Sequence, residues 1–153
     1  RIEEEQPDPA ANEQPAIRNP QSTILAGLRV LIVDDEPDTL DLLKVVLERG
    51  GARVVAVGSA SAAWGALEET QPDLLLCDIG MAVEDGYQLM RRVRERETGR
   101  GAALPAIALT AYAGETDRAL ALDAGFQLHV PKPIDPDSLV AIIAELMSAR
   151  AKA

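Results

Sequence analysis

From Leu28 onward the chain alternates five short apolar runs with five longer segments of helical period, and this rhythm restricts the possible folds more than any other feature. The runs are RVLIV (29–33), RVVAV (53–57), DLLLC (73–77), AIAL (106–109) and QLHV (127–130). They are continuously apolar rather than alternating, which suits strands of a parallel sheet covered by helices on both faces. The helical spacing is clearest in the last segment, where Leu139, Ile142, Ile143 and Leu146 recur at i, i+3, i+4 and i+7. Asp135 followed by Pro136 supplies an N-cap and a favoured first helical residue. Gly125 after RALALDA supplies a left-handed stop. The expected architecture is therefore α/β, a doubly wound (βα)5 sandwich. No internal repeat is present, and no second domain is expected.

Residues 1–27, rich in Pro, Gln, Glu and Asn, lack an apolar period and cannot offset the entropy of ordering, so they read as a linker or tail. The domain is expected over residues 28–150. A chain of 153 residues with 47% hydrophobic residues can bury one sizeable core. No apolar run approaches the length that spans a bilayer, and no signal-peptide pattern opens the chain. The net charge of −10 argues against broad affinity for nucleic acid or anionic membranes. A single cysteine, Cys77, excludes an internal disulfide and suits a reducing compartment. The expectation is a soluble cytoplasmic monomer.

In an open parallel sheet, function gathers at the C-terminal ends of the strands. Strand 1 ends in Asp34 and Asp35, strand 3 in Asp78, strand 4 in Thr110, and strand 5 leads to Lys132 in PKP. Three carboxylates, a hydroxyl and an ammonium thus point to one rim. Clustered carboxylates repel one another unless a cation sits among them. All-oxygen ligation that leaves room for waters and a phosphoryl oxygen is magnesium chemistry. Lys132 and Thr110 would add a point charge and a hydroxyl donor for a tetrahedral anion. Each residue alone has a plainer reading: DDEPD is also a good helix N-terminus, Thr110 a turn residue, Lys132 a solvated charge.

The motifs VDDEPD, LLLCDIGM, DGYQL, ALTAYA and KPID, in that order, resemble the receiver domain of two-component response regulators. The likeness runs from about Leu28 to Met147. It implies a flavodoxin-like fold with strand order 2-1-3-4-5 and a phosphoacceptor at Asp78. It also implies magnesium held by Asp34, Asp35, Asp78 and the carbonyl of Gly80, with the phosphoryl group bound by Thr110 and Lys132. A cis Lys132–Pro133 bond is expected on the same ground. Two positions depart from the family pattern: Ala82 stands where proline is usual, and His129 where a tyrosine or phenylalanine swings inward with Thr110 on activation. His129 is read either as that switch or as a packed strand residue. The implied donor is a histidine kinase or a histidine phosphotransfer protein, docking on Thr39, Leu42, Pro133 and Ile134.

Rival classes fit less well. An aspartyl-phosphate phosphatase needs an Asp-x-Asp pair after strand 1, and Asp34 and Asp35 are adjacent. A flavodoxin-like cofactor site needs a Ser/Thr/Gly loop there, and DDEPD would repel a phosphate. The leader and the LAGLRVLIVDDE approach to strand 1 most resemble the C-terminal receiver of a hybrid sensor histidine kinase, with a stand-alone regulator as the alternative. Cys77 and Trp64 read as packing residues, and the arginines of MRRVRERETGR as a solvated helix face. On the first helix, Leu40, Leu43 and Leu47 make one apolar face, and Leu42 and Val46 begin another.

Overall fold

A computed structural model describes residues 24–81, 84–97, 103–111 and 114–152. Five strands alternate with five helices: β1 (Arg29–Val33), α1 (Pro37–Arg49), β2 (Arg53–Val57), α2 (Ala60–Thr70), β3 (Leu74–Asp78), α3 (Gly86–Glu97), β4 (Ala106–Thr110), α4 (Glu115–Ala124), β5 (Leu128–Pro131) and α5 (Pro136–Lys152). All neighbouring strands pair in parallel, and the sheet order is β2-β1-β3-β4-β5. The chain direction across the sheet reverses between β1 and β3, where two adjacent loops diverge and leave a crevice.

Because strand side chains alternate between faces, each strand feeds two cores. Leu31, Val33, Leu75, Cys77, Ala106 and Ala108 face α2, α3 and α4. Val30, Ile32, Leu74, Leu76, Ile107 and Leu109 face α1 and α5, where Leu43, Leu47, Leu139 and Ile143 complete the packing. The central strands β3 and β4 are buried at every position, which accounts for their unbroken apolar sequence. Cys77 is fully buried, and burial pushes its thiol far above the usual range, in keeping with a core role.

Strand limits differ slightly from those read from the sequence. β3 and β4 each extend one residue further, so Asp78 and Thr110 are the last residues of their strands. The ladder continues through the polar side chains because Asp78 stays in register with Leu109, and the next amide, Ile79, donates to the Leu109 carbonyl at 3.0 Å. One residue ahead of β1 also joins the core. Leu25, assigned by sequence to the leading segment, is 3% exposed and packs into the α1/α5 core, and its N–H donates to the Gly50 carbonyl at 2.8 Å. A lone leucine carries no periodicity, so this contact left no pattern in the sequence. Residues 1–23 of the expected leader and Ala82 lie outside the described residues.

On α1, Leu43 and Leu47 are buried and Leu40 packs beside them. Val46, grouped with Leu42 by spacing, also packs inward. Leu42 instead shares an outward stripe with Val45, each 47% exposed. No described helix is long and apolar enough to cross a membrane.

Candidate functional site

The crevice at the C-terminal edge of the sheet collects most of the polar residues singled out in the sequence. Asp34 follows β1 and is held in line because its N–H donates to the Val57 carbonyl at 3.1 Å. Its carboxylate is fully buried: one oxygen accepts the Glu36 N–H at 2.9 Å, the other the Lys132 ammonium at 3.0 Å. Asp78 ends β3 and is 6% exposed. Its Oδ1 accepts the Gly80 N–H at 3.2 Å and lies 3.4 Å from Lys132 Nζ. Asp35, next to Asp34, faces solvent. One oxygen from each of Asp34, Asp35 and Asp78 lies within 4.8 Å of the others.

Thr110 ends β4 and is 4% exposed. Its carbonyl accepts the Lys132 N–H at 2.7 Å, which fixes the backbone from which the lysine side chain reaches back across the site. The Lys132–Pro133 peptide is cis, as the resemblance led us to expect.

Electrostatics follow from this packing. Burial raises the Asp34 pKa above the ordinary carboxylate range. The Glu36 and Lys132 hydrogen bonds oppose that rise, and the Asp78 charge adds to it. For Lys132, burial works to lower the pKa, but the hydrogen bond and charge of Asp34, with the charge of Asp78, outweigh it and leave the pKa raised. The lysine therefore remains an ammonium between two carboxylates. Three carboxylates against one ammonium still leave an excess of negative charge. An all-oxygen donor set with one member open to solvent fits a hard divalent ion such as magnesium.

Other residues hold this geometry. Gly86, at the start of α3, sits so close beneath β3 that a Cβ there would lie 2.6 Å from the Asp78 carbonyl oxygen and 2.9 Å from Ile79 Cα. The sequence showed Gly86 only as part of DGYQL, because a close approach between non-neighbouring backbones leaves no periodic signal. Arg94, read as a solvated arginine, is in fact part-buried. It donates to the Gly125 carbonyl at 2.7 Å and the Leu104 carbonyl at 2.7 Å, and pairs with Glu97 at 2.7 Å. Its aliphatic stem fills the space above Gly125, whose φ of +117° confirms the expected left-handed cap of α4.

His129 stands in β5 opposite Ala108. Both ring nitrogens are buried, with no hydrogen-bond partner among the described residues. Among the residues expected to dock a partner, Leu42 and Pro133 are exposed. Thr39 is half-buried and donates its hydroxyl to the Glu36 carboxylate at 2.8 Å. Ile134 packs against the α1/α5 core.

Residues 30–144 match the family model of the response regulator receiver domain, and the chain belongs to that family. It is 46% identical over 121 residues to an uncharacterised 14.6 kDa protein of Leptolyngbya boryana, covering 79% of this chain and 91% of that one. It is 37% identical to the sensor histidine kinase GacS of Pseudomonas protegens over 75% of this chain, which spans 13% of that longer protein. Response regulators are also among its relatives. Among solved structures it resembles the receiver domain of a sensor histidine kinase from Pseudomonas aeruginosa with magnesium coordinated in the active-site cleft. That match has a TM-score of 0.69 and 34% identity, covering 78% of this chain and 97% of the other. The chain is thus a receiver domain of two-component signalling.

Proposed function

We propose that this domain accepts a phosphoryl group from a phosphohistidine onto the carboxylate of Asp78. The observation that carries the reading is the meeting of Asp34, Asp35, Asp78 and Lys132 at the sheet edge, where the lysine lies between Asp34 and Asp78 at the end of β3. In the transfer, a carboxylate oxygen of Asp78 forms a bond to phosphorus while the bond from phosphorus to the donor imidazole breaks. Lys132 lies 3.4 Å from Asp78 and neutralises charge on the transferring group. Asp34 orients the lysine through its 3.0 Å contact, and the Thr110 hydroxyl would bind a phosphoryl oxygen. Magnesium, held by Asp34, Asp35, Asp78 and the Gly80 carbonyl, would supply further charge neutralisation.

On this reading the crevice changes the α4/β5 surface through Thr110 and His129. The partner is a histidine kinase or a histidine phosphotransfer protein in the cytoplasm, docking through Thr39, Leu42, Pro133 and Ile134 beside the reactive carboxylate. For the parent protein we favour a hybrid histidine kinase, supported by the match to GacS. The Leptolyngbya relative, matched over 91% of its length, supports the alternative of a stand-alone regulator. The adjacent Asp34 and Asp35 argue against an aspartyl-phosphate phosphatase.

Intact mass after incubation with acetyl phosphate and magnesium tests the chemistry. One added phosphoryl group is expected in the wild type and none in Asp78→Asn. Persistence of the added mass in that variant would remove Asp78 as the acceptor.

A further inference from the structure

Ahead of β1 the chain is seated on the turn between α1 and β2. Leu25 donates its N–H to the Gly50 carbonyl at 2.8 Å, and its side chain is buried in the α1/α5 core. The seat needs both glycines of that turn: a Cβ on Gly50 would lie 3.1 Å from Leu25 Cγ, and one on Gly51, whose φ is +99°, would lie 3.0 Å from Ala26 Cα. The point at which the preceding chain reaches the domain is thereby fixed. It is Ile24, 47% exposed, at the N-terminal edge of the sheet and so at the end opposite Asp78.

Ile24 stands at the lip of a depression of about 630 Å3, within the size range of sites that enclose a drug-sized ligand. Leu25, Leu28, Ala144 and Met147 give it an apolar lining, and Asp73 and Glu145 lie on its rim. A second depression begins where the first ends: it shares Asp73 and Met147 and adds Pro72, Leu104 and Glu97. The two make one groove, which starts where the preceding chain arrives. Asp73 pairs with Arg29, and Glu97 with Arg94. Glu145 is exposed on α5, and its side chain forms no ion pair or hydrogen bond among the described residues.

The sequence that arrives there is complementary to the groove. Between residues 3 and 23, Ile17 is the only Ile, Leu, Val, Met or aromatic residue, and Arg18 beside it is the only base. Ile17 stands seven residues before Ile24, a reach of at most about 24 Å. Pro15 and Pro20 bracket the pair and lower the entropy lost when an extended segment is held in place. We propose that residues 15–20, PAIRNP, lie in this groove as an intramolecular strap, with Ile17 over Met147 and Arg18 paired with Glu145. Tethering raises the local concentration of the segment to the millimolar range, so modest contacts suffice to hold it. The acidic rim repels Glu3, Glu4 and Glu5, which leaves Ile17 and Arg18 to set the register. The inference stands apart from the phosphoacceptor reading of Asp78, which lies at the other edge of the sheet.

Disulfide trapping in the full chain tests it. Cys77 is fully buried, so introduced cysteines react without competition. Ala16→Cys is combined either with Ser148→Cys, beside the groove, or with Glu48→Cys, exposed in the last turn of α1 on the other flank of the Leu25 seat. Both combinations keep Ile17, Arg18 and Glu145. In dilute protein under mild oxidant, the Ser148 combination should close about tenfold faster than the Glu48 combination. Adding Ile17→Asp or Arg18→Glu should bring it down to the rate of the Glu48 combination. Arg18→Glu together with Glu145→Arg should recover most of the advantage, which separates a lost contact from a lost fold. Equal closure of the two combinations, an unchanged rate with Ile17→Asp, or a cross-link found only between chains would overturn the proposal.

Discussion

Asp34 is fully buried with its pKa raised, a costly arrangement for a carboxylate that must be ionised to bind a metal. Such a raised pKa means that the folded state holds the proton more tightly than the unfolded chain. Its stabilising effect is present at low pH and is lost as pH rises through the folded-state value. Asp34→Asn keeps the shape and an acceptor for the Glu36 N–H, so without magnesium at neutral pH it should melt above wild type, by about 1 kcal/mol or a few degrees. The gap should narrow as pH falls through the Asp34 pKa; a lower melting point at pH 7 would contradict this. His129 makes a parallel case, since two buried ring nitrogens without partners among the described residues carry a desolvation cost. His129→Leu removes both polar atoms with little change in volume and should stabilise the fold by about 1–3 kcal/mol, read by thermal unfolding. Destabilisation would contradict this account of the imidazole.

At the level of elements, the sequence was most informative where a polar residue interrupts an apolar run. Asp34, Asp78 and Thr110 were legible for that reason: Asp34 directly follows a strand, and Asp78 and Thr110 close one, whose hydrophobicity fixes its place in the sheet. Lys132 was legible because β5 and the proline that follows it define where the chain leaves the sheet. Contacts made between elements were not. Nothing local distinguishes Arg94 from Arg92, yet Arg94 bonds two backbone carbonyls while Arg92 lies over the Trp64 ring, 4.4 Å from its centroid. Val46 and Leu42 likewise have similar hydrophobicity, and only the position of α5 and the sheet decides which one is covered. Gly86 shows how such a contact bears on the site, because α3 can pack under β3 only without a side chain there. Gly86→Ala must push Asp78 or α3 aside. It should cost about 1–3 kcal/mol in stability, in line with overpacking elsewhere. It should also slow acetyl phosphate labelling of the molecules that remain folded. Labelling at the wild-type rate would mean that α3 yields and the position of Asp78 is preserved.

For the molecule as a whole, the carboxylate cluster links ligand binding to stability. Asp34 and Asp35 belong to the β1–α1 connection and Asp78 to the end of β3, so their oxygens come within 4.8 Å of one another only when the sheet is assembled. An ion that needs all three binds the folded state and not the unfolded chain, and it must stabilise the fold by mass action. At ten times its dissociation constant the gain is about 1.4 kcal/mol, equivalent to a few degrees in melting temperature for a domain of this size. Lys132 already offsets part of the negative charge through its contacts with Asp34 and Asp78, so the rise should be modest and should saturate. Sodium chloride at matched ionic strength should give a much smaller shift, because diffuse screening acts weakly on a site where Asp34 and Asp78 are buried. Removing a carboxylate in Asp34→Asn should abolish the response to magnesium even though that variant starts from a higher melting point. A magnesium shift matched by sodium chloride, or retained in Asp34→Asn, would mean that the ion acts elsewhere on this acidic protein and that the three carboxylates do not form its site.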